Sequence, residues 1–137
     1  MKVRDVVRAV LIDCDRGVLL VQVDDAAGHP AWALLGGEVE GGEDDTMALS
    51  RELREEIAMK DAVVGQCLWT REHVFPRDGE AVLWRERAYL IAADGLSVVK
   101  PNVRWWSVAQ LRMGTERFLP EQLRQDIIEL LEAGPKG

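Results

Sequence analysis

A mixed α/β sandwich, with a mixed β-sheet flanked by helices, is the fold class this sequence predicts. Three observations predict it. Apolar runs of strand length recur with turn-forming residues between them. Two segments instead carry apolar residues at helical spacing: Leu49, Leu53 and Ile57, then Leu123, Ile127, Leu130 and Leu131. A chain of 137 residues, 47% apolar and 30% charged, suits one globular domain that buries roughly two-thirds of its unfolded surface without a disulfide or metal staple.

Val6 to Ile12 and Val18 to Val23 read as strands joined by the turn chemistry of Asp13-Cys14-Asp15-Arg16-Gly17. Val18-Leu19-Leu20-Val21 is continuously apolar, as in a strand covered on both faces. After a loop from Asp24 to Pro30, Trp32 to Leu35 is a short apolar stretch ending at Gly36-Gly37. Gly41-Gly42 breaks the chain again. Asp44 and Asp45 suit the positive end of a helix dipole, and that helix should run to Ile57 or Ala58. Ala62 to Phe75 and Ala81 to Ala93 read as two long strands around the hairpin signal Pro76-Arg77-Asp78-Gly79. Val98 to Trp106 is a further strand, with Pro101 placing its first part at an edge. Ser107 caps a short helix through Leu111, and Pro120 suits the first turn of a last helix that Gly134 stops. With no linker or repeat, this is one domain over residues 1–134 and a tail at 135–137.

Net charge is −7, from 24 acids against 17 bases, which argues against binding polymeric nucleic acid. The longest apolar run, Ala88 to Ala93, is far short of a membrane span, and the N-terminus lacks the apolar core of a signal peptide. A cytoplasmic location with no membrane partner is expected. Cys14 and Cys67 form no CxxC and read as buried free thiols.

The acids are unevenly spread. Eight of the 24 lie between Glu38 and Glu56, with only Arg51 and Arg54 opposing them. Glu52, Glu55 and Glu56 stand at i, i+3 and i+4, within about one third of a helical turn. Like charges so placed repel by a few tenths of a kcal/mol per pair. On a rigid helix whose neighbouring face is apolar, they make sense beneath a cation, and carboxylate oxygens suit Mg²⁺ or Mn²⁺. A solvated acidic face is the plainer alternative.

Reading outward, Gly37 is followed by five residues, Glu43, seven residues, and then Arg51-Glu52-Leu53-Arg54-Glu55-Glu56. This resembles the Nudix box, G-x5-E-x7-R-E-U-x-E-E-x-G-U, where U is a bulky apolar residue. Gly37, Glu43, Arg51, Glu52, Leu53, Glu55, Glu56 and Met59 match; Ala58 stands where the pattern has glycine. Trp32 to Gly37 resembles the usual lead-in, with Leu35 in place of a common proline. The resemblance implies a Nudix-type α/β/α sandwich. It also implies a hydrolase that cleaves the diphosphate linkage of a nucleoside diphosphate derivative by water attack at phosphorus, with Mg²⁺ or Mn²⁺. It makes Glu52, Glu55 and Glu56 metal ligands, with the Gly37 carbonyl as a further one. Glu43 and Arg51 become supports that aim the ligands.

Two departures matter. Alanine at 58 costs on the order of 1 kcal/mol if that residue is left-handed; the alternative is a helix ending slightly later, with Lys60-Asp61 as its exit. Many family members also add a glutamate from a later loop, whereas residues 94–103 hold none, and Asp94 is their only acid. Glu52, Glu56, Glu86 and Glu116 are the other candidates for a base. A catalytically weak or inactive nucleotide-binding domain on the same fold is the second reading. For the small nucleotide substrate, Arg85 and Arg87 share one strand face, and Arg71 and His73 share one of theirs. If those faces coincide they form a basic patch for a distal phosphate, with Trp32 or Trp84 available to stack on a base. The edge strand and long hairpin offer surface for a homodimer.

Overall fold

The computed structural model of the chain describes residues 1–134; the tail expected at 135–137 lies outside the described residues. The elements in order are β1 (Lys2–Asp13), β2 (Gly17–Asp24), β3 (Pro30–Ala33), β4 (Leu35–Glu38), α1 (Asp45–Ile57), β5 (Cys67–Arg77), β6 (Glu80–Ala92), β7 (Val103–Trp106), α2 (Val108–Met113) and α3 (Leu123–Ala133). The seven strands form one mixed sheet in the hydrogen-bonding order β3-β2-β1-β6-β5, with β4 paired to β1 and β7 to β2. The predicted α/β class is the class observed. Among the described residues no helix is long and apolar enough to cross a membrane.

The chain divides into two compact units, and β1 contributes to each. The first comprises Met1–Val10 and Leu35–Ile91. Here β4 runs antiparallel to β1, with Val6 opposite Glu38 and Arg8 opposite Gly36. Helix α1 packs on β4. It buries Ala48, Leu49, Leu53 and Ile57, the predicted stripe with the adjacent Ala48 added at its start. Asp44 is its N-cap, its side chain accepting from the Met47 amide at 2.8 Å. The helix ends at the earlier predicted limit. Ala58 is left-handed (φ 54°, ψ 27°) and its amide donates to the Arg54 carbonyl, while Met59 N donates to the Leu53 carbonyl at 3.2 Å. The Ala58–Arg54 bond is a left-handed (αL) helix ending, where glycine is the usual residue. β5 and β6 form a long hairpin turning at Asp78-Gly79. β5 begins at Cys67 rather than Ala62, because Gly65 already bonds the Leu90 carbonyl outside the regular ladder.

The second unit comprises Leu11–Leu34 and the chain from Ala92 onward. The β1–β2 turn is organised by Asp13, only 6% exposed. Its carboxylate accepts from the amides of Asp15, Arg16 and Gly95 and from the Arg16 guanidinium. Val18, Leu19 and Leu20 are all buried, as a strand covered on both faces requires. Trp106 is fully buried, edge-on to Trp32 and Phe118 at 5.3 Å between ring centroids. The strand predicted from Val98 is shorter, Val103–Trp106: Pro101 cannot donate to a ladder, and the chain turns at Pro101-Asn102 before pairing with β2. Helix α3 buries Leu123, Ile127 and Ile128, whereas Leu130 and Leu131 stay half-buried. Pro120 precedes this helix rather than standing in its first turn. Both cysteines are free but exposed, which corrects the expectation of buried thiols. Cys14 sits in the β1–β2 turn and Cys67 starts β5, positions that leave their side chains facing solvent.

Candidate active site

The carboxylates of α1 lie beside the Gly36-Gly37 strand. A β-carbon on Gly37 would stand 2.5 Å from Glu52 Oε1, so the glycine is what lets this carboxylate reach the backbone. At Gly36 a side chain would collide with the Val7 carbonyl, and its amide donates to Glu56 Oε2 at 3.2 Å. Glu56 is half-buried. Its carboxyl is pushed up to about 7, first by loss of water and then by the neighbouring charge of Glu52, while the Gly36 amide and Arg8 pull the other way.

Arg51 is the hub of the cluster. Its Nε and Nη2 donate to both oxygens of Glu43 at 2.8 and 2.9 Å, and Nη2 also donates to the Glu38 carbonyl at 3.0 Å. Its Nη1 donates to Glu52 Oε1 at 2.8 Å. Glu43 in turn accepts from the Glu40 amide at 2.9 Å. The Arg51 guanidinium holds the Glu43 carboxyl below its ordinary range, and Glu43 raises Arg51 further above its own. The loop before α1 is thereby tied to the middle of the helix and to β4, so Glu43–Arg51 is more than an isolated surface pair.

The three expected ligands are not equally placed. Glu52 and Glu56 are neighbours, with Gly36 and Gly37 against them. Glu55 is 61% exposed and pairs with Arg51 at 3.7 Å. Among the described residues no three acidic, thiol or imidazole groups converge as a ready cluster. Like charges spread apart, and Arg51 draws both Glu52 and Glu55 towards itself. The donor set still fits a hard divalent cation. Two adjacent carboxylates are fixed in place, and a third lies one helical turn from Glu52 on an exposed, movable side chain.

The shared basic patch is corrected by the hairpin register. Arg71 stands opposite Glu86 and His73 opposite Trp84, whereas Arg85 stands opposite Glu72 and Arg87 opposite Thr70. Directly opposed residues share a face and neighbours alternate. Arg71 and His73 are therefore on one face and Arg85 and Arg87 on the other. Arg87 is engaged by Asp45 at 2.5 and 2.7 Å and by Asp5 at 3.0 Å, and Arg85 lies 3.5 Å from Asp5. The Tyr89 hydroxyl also donates to Asp45. This Asp5–Asp45–Arg87–Tyr89 group, missed in the sequence because its members lie up to 84 positions apart, anchors the start of α1 to β1 and β6.

Trp32 belongs to the second unit, buried against Trp106 with the Arg104 guanidinium 5.1 Å from its ring. Asp94 accepts from the Cys14 amide at 2.7 Å and so serves the β1–β2 turn. Glu116 pairs with Arg104 at 3.4 Å in the second unit. Arg8 and Gly36 were not singled out from the sequence. The signal was available in Arg8, a charge two residues from Val6 and Val10 on a strand that is otherwise apolar through its middle.

Fold and site together define a mixed α/β enzyme built on a carboxylate-bearing helix. The NUDIX domain model matches residues 2–132, and the chain belongs to that family. It is a Nudix hydrolase, of the class that acts on phosphate-containing anhydrides and generally needs a divalent cation. No curated protein matches it. Among solved structures, the E. coli ORF135 protein is similar at 27% identity and a TM-score of 0.68, over 97% of this chain and 89% of that one. The MutT NUDIX hydrolase of Burkholderia pseudomallei is similar at 23% identity and TM-score 0.66, over 93% and 99%. The E. coli dihydroneopterin triphosphate pyrophosphohydrolase shares the fold at 17% identity and TM-score 0.65, over 97% of each chain.

Proposed function

We propose that this chain, acting through residue 134 as one catalytic domain, is a Mg²⁺-dependent pyrophosphohydrolase, with Mn²⁺ as an alternative ion. It cleaves the diphosphate linkage of a nucleoside diphosphate derivative by water attack at phosphorus. The observation that supports this most is the fixed pair Glu52–Glu56, closed by Gly36 and Gly37 and aimed by Arg51. In this reading Glu52, Glu56 and the movable Glu55 hold the cation, with the Gly37 carbonyl beside them. A divalent cation held there would supply Lewis-acid activation of water and charge relief for the leaving phosphate. Arg51 keeps Glu52 in one orientation and Glu43 keeps Arg51 in place. Glu56 Oε2 is held in a fixed position by the Gly36 amide.

A panel of nucleoside triphosphates, nucleotide sugars and dinucleoside polyphosphates, with Mg²⁺ or Mn²⁺ and product identification, tests the substrate class and locates the cleaved bond. Glu56→Gln and Glu52→Gln are expected to lower turnover by orders of magnitude while the thermal melt stays cooperative. Unchanged turnover in either variant removes that residue from the proposed set.

A further inference from the structure

The geometry points to Arg8 as a phosphate-holding residue of this site, one that favours substrates bearing a charged phosphate beyond the scissile linkage over those ending in a neutral sugar. The inference rests on the hydrolase reading above. Arg8 lies directly across the β1–β4 ladder from Gly36, the residue whose amide holds Glu56. Opposed residues in such a ladder have Cα atoms about 4.5–5.5 Å apart, so the arginine side chain is long enough to extend towards the carboxylate end of α1.

Arg8 is also under-committed. Arg51 and Arg87 each make several hydrogen bonds at 2.5 to 3.0 Å. Arg8, 29% exposed, meets Glu86 at 3.8 Å, beyond hydrogen-bond length. Glu86 itself stands opposite Arg71 in the hairpin register. A planar guanidinium with open donors is suited to grip a phosphate in a two-point fork.

The test compares Arg8→Ala, Arg8→Lys and Glu86→Gln with the unaltered chain. KM and kcat are measured for a nucleoside triphosphate and a nucleotide sugar. Calorimetry follows inorganic tripolyphosphate binding in the presence of Mn²⁺, and thermal melts run alongside. Arg8→Ala is expected to raise KM for the triphosphate roughly ten- to hundredfold. KM for the sugar substrate should move far less, with kcat, Mn²⁺ affinity and melting temperature close to those of the unaltered chain. Arg8→Lys should recover part of the loss, and Glu86→Gln should leave KM unchanged or lower it. Arg112→Ala removes the same charge from an exposed pair with Glu132 and should change nothing. An unchanged triphosphate KM in Arg8→Ala overturns the inference and leaves the hydrolase reading standing. A Glu86→Gln variant that reproduces the Arg8→Ala loss also overturns it, because the ion pair rather than a ligand contact would then be at work. If the unaltered chain binds tripolyphosphate through Arg8 yet hydrolyses no substrate, the inference holds and the hydrolase reading falls. If it neither binds nor hydrolyses, both fall.

Discussion

Replacing Ala58 by glycine should stabilise this protein. Ala58 ends α1 in the left-handed region, at φ 54° and ψ 27°, where an L side chain costs about 1–2 kcal/mol. Its methyl is exposed, so removing it sacrifices little burial. Glycine gives back about 0.4–1 kcal/mol through the greater freedom of the unfolded chain. The net gain is about 0.5–1 kcal/mol. Unfolding entropy near the midpoint is about 2.1 cal/mol/K per residue, so over the 137 residues the melting temperature should rise by about 2–4 °C. Differential scanning calorimetry measures this directly, and urea titration should show a higher midpoint with an unchanged slope. A series sharpens the reasoning: glycine above asparagine, asparagine above alanine, alanine above valine, following tolerance of the left-handed region. An Ala58→Gly variant that melts at or below the temperature of the unaltered chain would refute the strain assigned to Ala58.

Two further outcomes follow from particular contacts. Gly37→Ala places a β-carbon 2.5 Å from Glu52 Oε1. The flexible end of Glu52 must move aside, so kcat should fall at least about tenfold with a near-normal melt, and activity equal to the unaltered chain would show that Glu52 need not stand there. Asp13→Asn tests a pH dependence. The Gly95 amide, followed by Arg16, holds the Asp13 carboxyl far below its ordinary range. A carboxyl depressed on folding stabilises above the unfolded value near 3.8, and that stabilisation drains away as pH falls towards the folded value. Asp13→Asn should therefore melt lower than the unaltered chain at pH 7, and the gap should close steadily below about pH 4. A gap that is constant from pH 7 to pH 3 would remove the ionic part of the argument.

Helix α1 was the most legible element. Its apolar stripe, its acidic start, its carboxylate spacing and its limit at Ile57 are all local properties of a 3.6-residue period. The Glu43–Arg51 tie was legible too, because a fixed separation within one motif closes a short loop. The faces of the β5–β6 hairpin were not. Which arginines share a side depends on strand register, and a shift of one residue exchanges every side chain between faces. Within each strand, alternation correctly paired Arg85 with Arg87 and Arg71 with His73, but only the Arg71–Glu86 register separates the two pairs.

The sequence by itself therefore determined the family motif: which acids lie on one helix and which glycines precede them. These follow from residue types at fixed short spacing, where the backbone leaves little choice. Tertiary structure alone decided which carboxylate is stripped of water and which basic groups stand beside it. Glu56 is desolvated against Gly36, which stands across a ladder from Arg8, while the equally acidic Glu55, one residue away, stays in solvent. Desolvation and long-range pairing depend on everything packed around a group, and no local pattern encodes them.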